Sequence, residues 1–352
     1  MSGFLCKRLA GLNPYVPGEQ PKTGKYIKLN TNENPYPPSP KAVEAVCRQA
    51  DNLRLYSDPD CAIFLDVLAR HFGVGRDMVF ASNGSDETLA FVFQAFTEKG
   101  AAFADITYGF FPVFCNLYNI DAKIVPLRED FSLAVQDYYD IDRTIVIANP
   151  NAPTGLAVNK NDIRGLLEHN KNNLVVVDEA YVDFGAESCV ELVGEFDNLL
   201  IVGTFSKSYS LAGARLGYAV GCHELITALN RVKFSFNPYN VNSMTLAAGT
   251  ASILDKEYFE YTRGEIIKTR ILTSNLLREL GFSCTNSMAN FIFTEHPDIR
   301  AEVIFQKLRE SGVLVRWFNK KRISNYLRIS VGTTDDMLFL IDALKIIISE
   351  ES

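Results

Sequence analysis

The run Leu199-Leu200-Ile201-Val202-Gly203 has the length and unbroken apolarity of a strand buried on both faces, and it leads into Thr204-Phe205-Ser206-Lys207-Ser208. A strand of that kind belongs in an open α/β sheet covered by helices on both sides. Such sheets bind their ligands in the crevice at the strands' carboxyl ends. Lys207 stands at that end between hydroxyls, with Arg215 further along the same stretch. A desolvated lysine amine can lose its proton and attack a carbonyl carbon. On these residues alone, a lysine on a surface loop reads equally well.

Other segments extend the same sheet. Leu174-Val175-Val176-Val177 is a β-branched strand ending in Asp178-Glu179-Ala180-Tyr181, which puts a carboxylate in the crevice or caps the next segment. Thr144–Ala148 is a strand running into Asn149-Pro150-Asn151-Ala152-Pro153-Thr154-Gly155, a turn stiffened by its prolines. Shorter strands are expected at Met78–Ala81 and Ala101–Asp105. After the first, Asn83-Gly84-Ser85-Asp86-Glu87 opens an apolar helix running to Phe96. Gly84 lets the backbone come close, and Ser85 to Glu87 offer free N–H groups at a helix N-terminus, a ready anion site or an ordinary cap. After the second, Tyr108 can stack on a planar ring or join the core.

The flanks have a different character. Residues 1–28 hold Pro14, Pro17 and Pro21 and read as an extended arm, with Tyr15 on a stiff segment. Asn32-Glu33-Asn34-Pro35 marks a turn, and Pro38-Ser39-Pro40 opens a helix. Tyr56-Ser57-Asp58-Pro59 precedes a helix expected over Asp60–Phe72, with Ile63, Phe64, Val67 and Leu68 on its apolar face. Helical patterning over Asp255–Leu280 leads out of this unit. Strands near Phe282–Cys284, Phe291–Phe293, Val313–Arg316 and Tyr326–Ser330 then interleave with helices near Ile299–Ser311 and Asp335–Ser349. The expected organisation is an arm (1–28), a large domain with a mostly parallel sheet (29–254) and a smaller α+β domain (255–352). Within the latter, Arg328 lies inside a strand, where an arginine is costly unless paired. Arg316 is a second candidate.

Bulk composition narrows the function classes. A chain of 352 residues with net charge -7 has no excess of basic residues for a nucleic-acid backbone. Its four histidines are far apart, so no metal site is expected. Its seven cysteines are scattered and odd in number, which suits reduced thiols in a cytoplasmic protein. No apolar run approaches membrane-spanning length.

Taken in order, these segments resemble the fold-type-I pyridoxal-phosphate (PLP) aminotransferases, and more narrowly the histidinol-phosphate aminotransferase family. The resemblance implies an α/β fold and a PLP cofactor held by Lys207. Asp178 would pair with the pyridine nitrogen, and Asn151 and Tyr181 would donate to the phenolic oxygen. Tyr108 would lie over the ring. Thr204, Ser206, Arg215 and the Gly84-Ser85-Asp86 turn would hold the phosphate. Tyr56 would reach the cofactor phosphate of a neighbouring subunit in a homodimer, although Ser57 replaces the family's usual proline. Tyr15, Asn32, Arg328 and Arg316 would face the substrate. The implied reaction transfers the amino group of L-histidinol phosphate, a phosphorylated amino alcohol, to the 2-oxo acid 2-oxoglutarate, giving imidazole acetol phosphate and glutamate. Threonine-phosphate decarboxylases and aromatic-amino-acid aminotransferases resemble the same pattern and stay open at this stage.

Overall fold

The computed structural model describes residues 4–6, 9–21 and 25–351, so parts of the expected arm lie outside the described residues. In chain order the strands are β1 Ile27–Lys28, β2 Val79–Ser82, β3 Ala101–Ala104, β4 Ala122–Val125, β5 Thr144–Ala148, β6 Val175–Asp178, β7 Leu199–Thr204, β8 Gly217–Gly221, β9 Ser283–Cys284, β10 Phe291–Glu295, β11 Val313–Leu314, β12 Arg316–Trp317 and β13 Leu327–Ser330. The helices are α1 Pro40–Gln49, α2 Ala62–Phe72, α3 Ser85–Ala95, α4 Phe110–Tyr118, α5 Lys160–His169, α6 His223–Phe236, α7 Ser243–Leu254, α8 Lys256–Glu279, α9 Ala301–Glu310 and α10 Thr334–Glu351.

Seven strands form the main sheet in the order β2-β8-β7-β6-β5-β3-β4. All are parallel except β8, which runs antiparallel to both neighbours. Its central strands alternate their side chains between two cores. Val175, Val177, Leu199 and Ile201 pack on one face, and Val176, Leu200 and Val202 on the other. Burial on both faces is why these segments read as continuous apolar runs.

A four-stranded sheet, β12-β13-β10-β9, is antiparallel throughout. Its core joins Phe291, Ile329 and Leu340 and reaches back to Ala152 and Tyr181 beside the main sheet. The end of the arm is itself a strand, since β1 pairs in parallel with β11. The expected strand Val313–Arg316 is therefore two pieces. Val313 and Leu314 pair with β1, and Arg316 and Trp317 pair with β13.

Helix starts follow their capping chemistry. The Ser39 hydroxyl accepts from Lys41 N–H before Pro40 opens α1. At α10, Thr333 and Asp336 bond reciprocally, the side chain of each accepting from the other's N–H. Helix α2 begins at Ala62 rather than Asp60, because the Asp58 carboxylate caps it by accepting from Ala62 N–H. Phe64, Val67 and Leu68 are buried as expected, but Ile63 is 76% exposed. It belongs to an outward apolar face instead of the core.

Candidate active site

The parallel strands and the reversed β8 bring Ala148, Asp178, Thr204 and Gly217 to one edge of the main sheet. A cleft opens there, walled on the far side by the arm and by β12 and β13. Every residue proposed from the sequence lines it except Gly84, Asn151 and Tyr56.

Lys207 extends from the loop after β7. Its Nζ donates to the Thr31 carbonyl at 3.3 Å and lies 5.7 Å from the Tyr181 ring centre. The loop is held from behind, because Asn34 Nδ2 donates to the Lys207 carbonyl at 3.0 Å. The conspicuous Asn-Glu-Asn turn thus orients the lysine segment.

Asp178 closes β6 and is 5% exposed. Burial pushes its carboxyl up to about 7; the Ala180 N–H and the Lys207 charge oppose that rise, and the Asp86 charge adds to it. A cation placed against this carboxyl would relieve the penalty of ionising it. A protonated ring nitrogen is such a cation, so the acid fits the cofactor that the resemblance implies.

The opposite corner is built for an anion. Helix α3 points its first N–H groups into the cleft from Ser85 and Asp86. Gly84 precedes it at φ 80°, and a Cβ there would come within 2.4 Å of the Arg215 guanidinium. A Cβ on Gly217 would lie 2.4 Å from the Gly84 carbonyl carbon and the Ser85 nitrogen. Two glycines therefore let the helix start, β8 and Arg215 converge. Arg215, itself in the left-handed region at φ 59°, pairs with the Asp86 carboxylate at 3.1 Å and donates to Ser206 Oγ at 3.3 Å. The Thr204 hydroxyl donates to Ser206 Oγ at 3.0 Å. These donors and the guanidinium suit a phosphate. Gly84 contributes by backbone geometry alone, which is why it is absent from the lining.

Tyr108 donates its hydroxyl to Asp86 at 2.7 Å, and burial holds that phenol well above its ordinary range. Tyr15 reaches in from the arm and stacks on Phe110 with ring centres 4.4 Å apart. Arg316 donates to the Val16 and Pro17 carbonyls at 3.1 and 3.3 Å. Arg328 donates to the Asn30 carbonyl at 3.0 Å, while its Nε is buried without a protein partner. Phe291 and Phe318 flank its guanidinium, and burial lowers its proton affinity. Two arginines converging on one wall, one with an unused donor, suit a second anionic group.

One placement differs from expectation, and one residue meant for a neighbouring subunit lies on the surface. Asn151 turns away from the cleft, because its amide donates to the Ile106 carbonyl at 2.9 Å and to Thr154 Oγ1 at 3.1 Å. Ala152 lines the cleft instead. Tyr56 is 84% exposed and stacks on Tyr239 on the outer surface, away from this chain's own cleft. Sequence reasoning also missed the Thr31 carbonyl and the Ala148, Pro150 and Ala180 walls. They act through main chain or shape, which carries no residue-type signature. Among the described residues no cluster of metal-ligating side chains is present, and no helix is long and apolar enough to cross a membrane.

Residues 24–344 match the model of the family described as "Aminotransferase class I and II". The chain is 49% identical over 348 residues to a histidinol-phosphate aminotransferase of Clostridium acetobutylicum, covering 98% of this chain and 99% of that protein. It is 48% identical over 351 residues to one from Marinomonas sp. strain MWYL1, again covering 98% and 99%. Among solved structures, a Sinorhizobium meliloti histidinol-phosphate aminotransferase in complex with pyridoxal-5'-phosphate is similar at a TM-score of 0.91 and 22% identity, covering 99% of both chains. A Porphyromonas gingivalis L-threonine-O-3-phosphate decarboxylase is similar at 0.79 and 21%, covering 92% of this chain and 99% of that one.

Proposed function

Since the chain belongs to the aminotransferase class I and II family, we propose that it is a histidinol-phosphate aminotransferase, exchanging an amino group between L-histidinol phosphate and 2-oxoglutarate. The fold is that of the fold-type-I pyridoxal-phosphate enzymes. It does not separate transamination from decarboxylation, because enzymes of both kinds share it. The observation that carries the choice is near-half identity, end to end, with several relatives of that one name.

Lys207 would hold the cofactor's aldehyde carbon. Thr204, Ser206, Arg215 and the first turn of α3 would hold its phosphate. Asp178 would face the ring nitrogen, Tyr108 the ring, and Tyr181 the phenolic oxygen. Bound pyridoxal phosphate supplies an electron sink for negative charge developing on the substrate carbon beside the nitrogen. Asp178 keeps the ring nitrogen protonated. The Lys207 amine would serve as the base that moves the substrate's proton. Arg328 and Arg316 bind the substrate's phosphate, and Tyr15 closes the arm over it.

We read the chain as an arm (1–28), a cofactor-binding unit (29–254) and a smaller unit (255–352). We also read the enzyme as a homodimer. Ile63 and Leu254, both more than half exposed, line one surface depression suited to a second copy, and Tyr56 is also exposed. Tyr56 would then reach the partner's cofactor phosphate. All seven cysteines are free thiols, which supports action in the cytoplasm.

The deciding experiment mixes purified, PLP-loaded protein with histidinol phosphate alone and follows the visible absorption of the bound cofactor. Loss of the band without release of carbon dioxide supports the reading. A band that persists with histidinol phosphate, together with release of carbon dioxide from phosphothreonine, moves the assignment to decarboxylation.

A further inference from the structure

We propose that Asn32 is a positioning residue that fixes the Tyr181 hydroxyl as a donor into the cleft, and that Ser330 on β13 locks Asn32 in turn. Asn32 is 1% exposed, and each of its polar groups is engaged. Its N–H donates to Ser330 Oγ at 2.8 Å, and the Ser330 hydroxyl donates back to Asn32 Oδ1 at 3.0 Å. Asn290 Nδ2 donates to the Asn32 carbonyl at 3.0 Å. The exchange with Ser330 settles the amide's orientation, because Oδ1 must face the serine proton. Asn32 Nδ2 therefore points at Tyr181 and donates to its hydroxyl at 2.9 Å. The backbone of Asn32 sits at φ 56°, which asparagine tolerates better than most residues.

A phenol that accepts from Nδ2–H keeps its own proton for another acceptor. Among the described residues that proton has no protein acceptor, and Tyr181 lines the cleft with its ring centre 5.7 Å from Lys207 Nζ. In a pyridoxal ring the phenolic oxygen stands next to the carbon that a lysine would hold. The Tyr181 proton then faces the phenolate. The relay couples the Tyr181 hydroxyl to the four-stranded sheet through Asn32 and Ser330.

This inference rests on the cofactor reading above, and its test separates the two. A hydrogen bond to the phenolate stabilises the deprotonated chromophore, so losing it raises the pH at which the bound cofactor's visible band changes. The measurement is that midpoint, taken without substrate on PLP-loaded wild type, N32G, Y181F and the double variant. Glycine keeps the positive φ of residue 32. N32G is expected to raise the midpoint by about 0.5–1 pH unit, and to add less than about 0.2 in the Y181F background. Ser330→Ala, a smaller change suited to a case where N32G fails to fold, should give a smaller rise that also vanishes with Y181F. An unchanged midpoint in N32G, or an equal rise with and without the Tyr181 hydroxyl, overturns the relay. The same holds for S330A where it stands in. If wild type gains no visible band with PLP, the cofactor reading itself fails, and this inference fails with it.

Discussion

The Lys207 ammonium donates to the main-chain carbonyl of Thr31 at 3.3 Å, across 176 residues of sequence. The lysine is thereby aimed by the backbone of a segment outside the seven-stranded sheet, across the mouth of the cleft. Removing the amine should remove the chemistry and leave the frame. K207A is expected to lose transamination by at least about 10³-fold, with its thermal midpoint little changed. Activity within tenfold of wild type would show that another group moves the proton.

Asp178 gives a pH signature in the cofactor-free protein. Its folded-state value is about 7, against about 3.9 for an unfolded aspartate. The folded state therefore binds the proton more tightly, and this residue's contribution to stability falls as pH rises from about 4 to about 7, then levels off. Asp178→Asn removes that slope. Denaturant unfolding of the two apo proteins should show the variant gaining on wild type across that window, by on the order of 2–4 kcal/mol at pH 8. The same variant should bind PLP less tightly. A difference independent of pH would mean that burial of Asp178 is not what its titration reports.

Gly217 tests the convergence at the anion corner. A Cβ there meets the backbone of Gly84 and Ser85 at 2.4 Å, so neither neighbour can yield without moving α3. Gly217→Ala should cost roughly 1–3 kcal/mol of stability and weaken PLP binding at least tenfold. Gly213→Ala lies in the loop that leads into β8, where a Cβ meets nothing within 4 Å, and should leave both unchanged. PLP titration by absorbance or fluorescence separates the pair.

The two arginines of the far wall differ in how far they are committed to the protein. Arg328 keeps a buried Nε without a partner, whereas Arg316 is engaged with the arm's carbonyls. R328M should raise KM for histidinol phosphate about 10–100-fold, while the bound cofactor's absorption stays as in wild type. R316M should act less strongly and through arm order. Equal effects on KM would assign both guanidiniums directly to the substrate.

Ile63 and Tyr56 carry the dimer reading. Ile63→Glu should shift the protein toward monomer in sedimentation velocity at micromolar concentration. Y56F should retain the dimer while weakening PLP affinity. Monomeric wild type would remove the reason for their exposure.

The architecture was legible wherever burial was two-sided, because β5, β6 and β7 announce themselves as apolar runs with a polar residue at the carboxyl end. Asp178 and Lys207 follow from those strand ends, whereas Arg215 was placed through the family resemblance. Less could be read where a side chain's direction depends on tertiary partners. Asn151 looked like a cleft donor, but the Ile106 carbonyl takes its amide. Ile63 fitted a helical apolar stripe, yet that stripe is wider than the core behind it. Asn32 was recognisable as a cleft residue, but its link to Ser330 spans 298 positions and no local pattern encodes it.

The carbonyls of Val16, Pro17 and Asn30 hold the two arginines of the far wall. Main-chain acceptors are supplied by any amino acid, so the side chains at positions 16, 17 and 30 can change over generations without shifting those positive charges. Natural variation at positions such as 16 and 30 can therefore reshape which molecule fits beside the anion while the grip on the anion itself persists. In a scaffold of this kind, substrate range can drift faster than substrate charge.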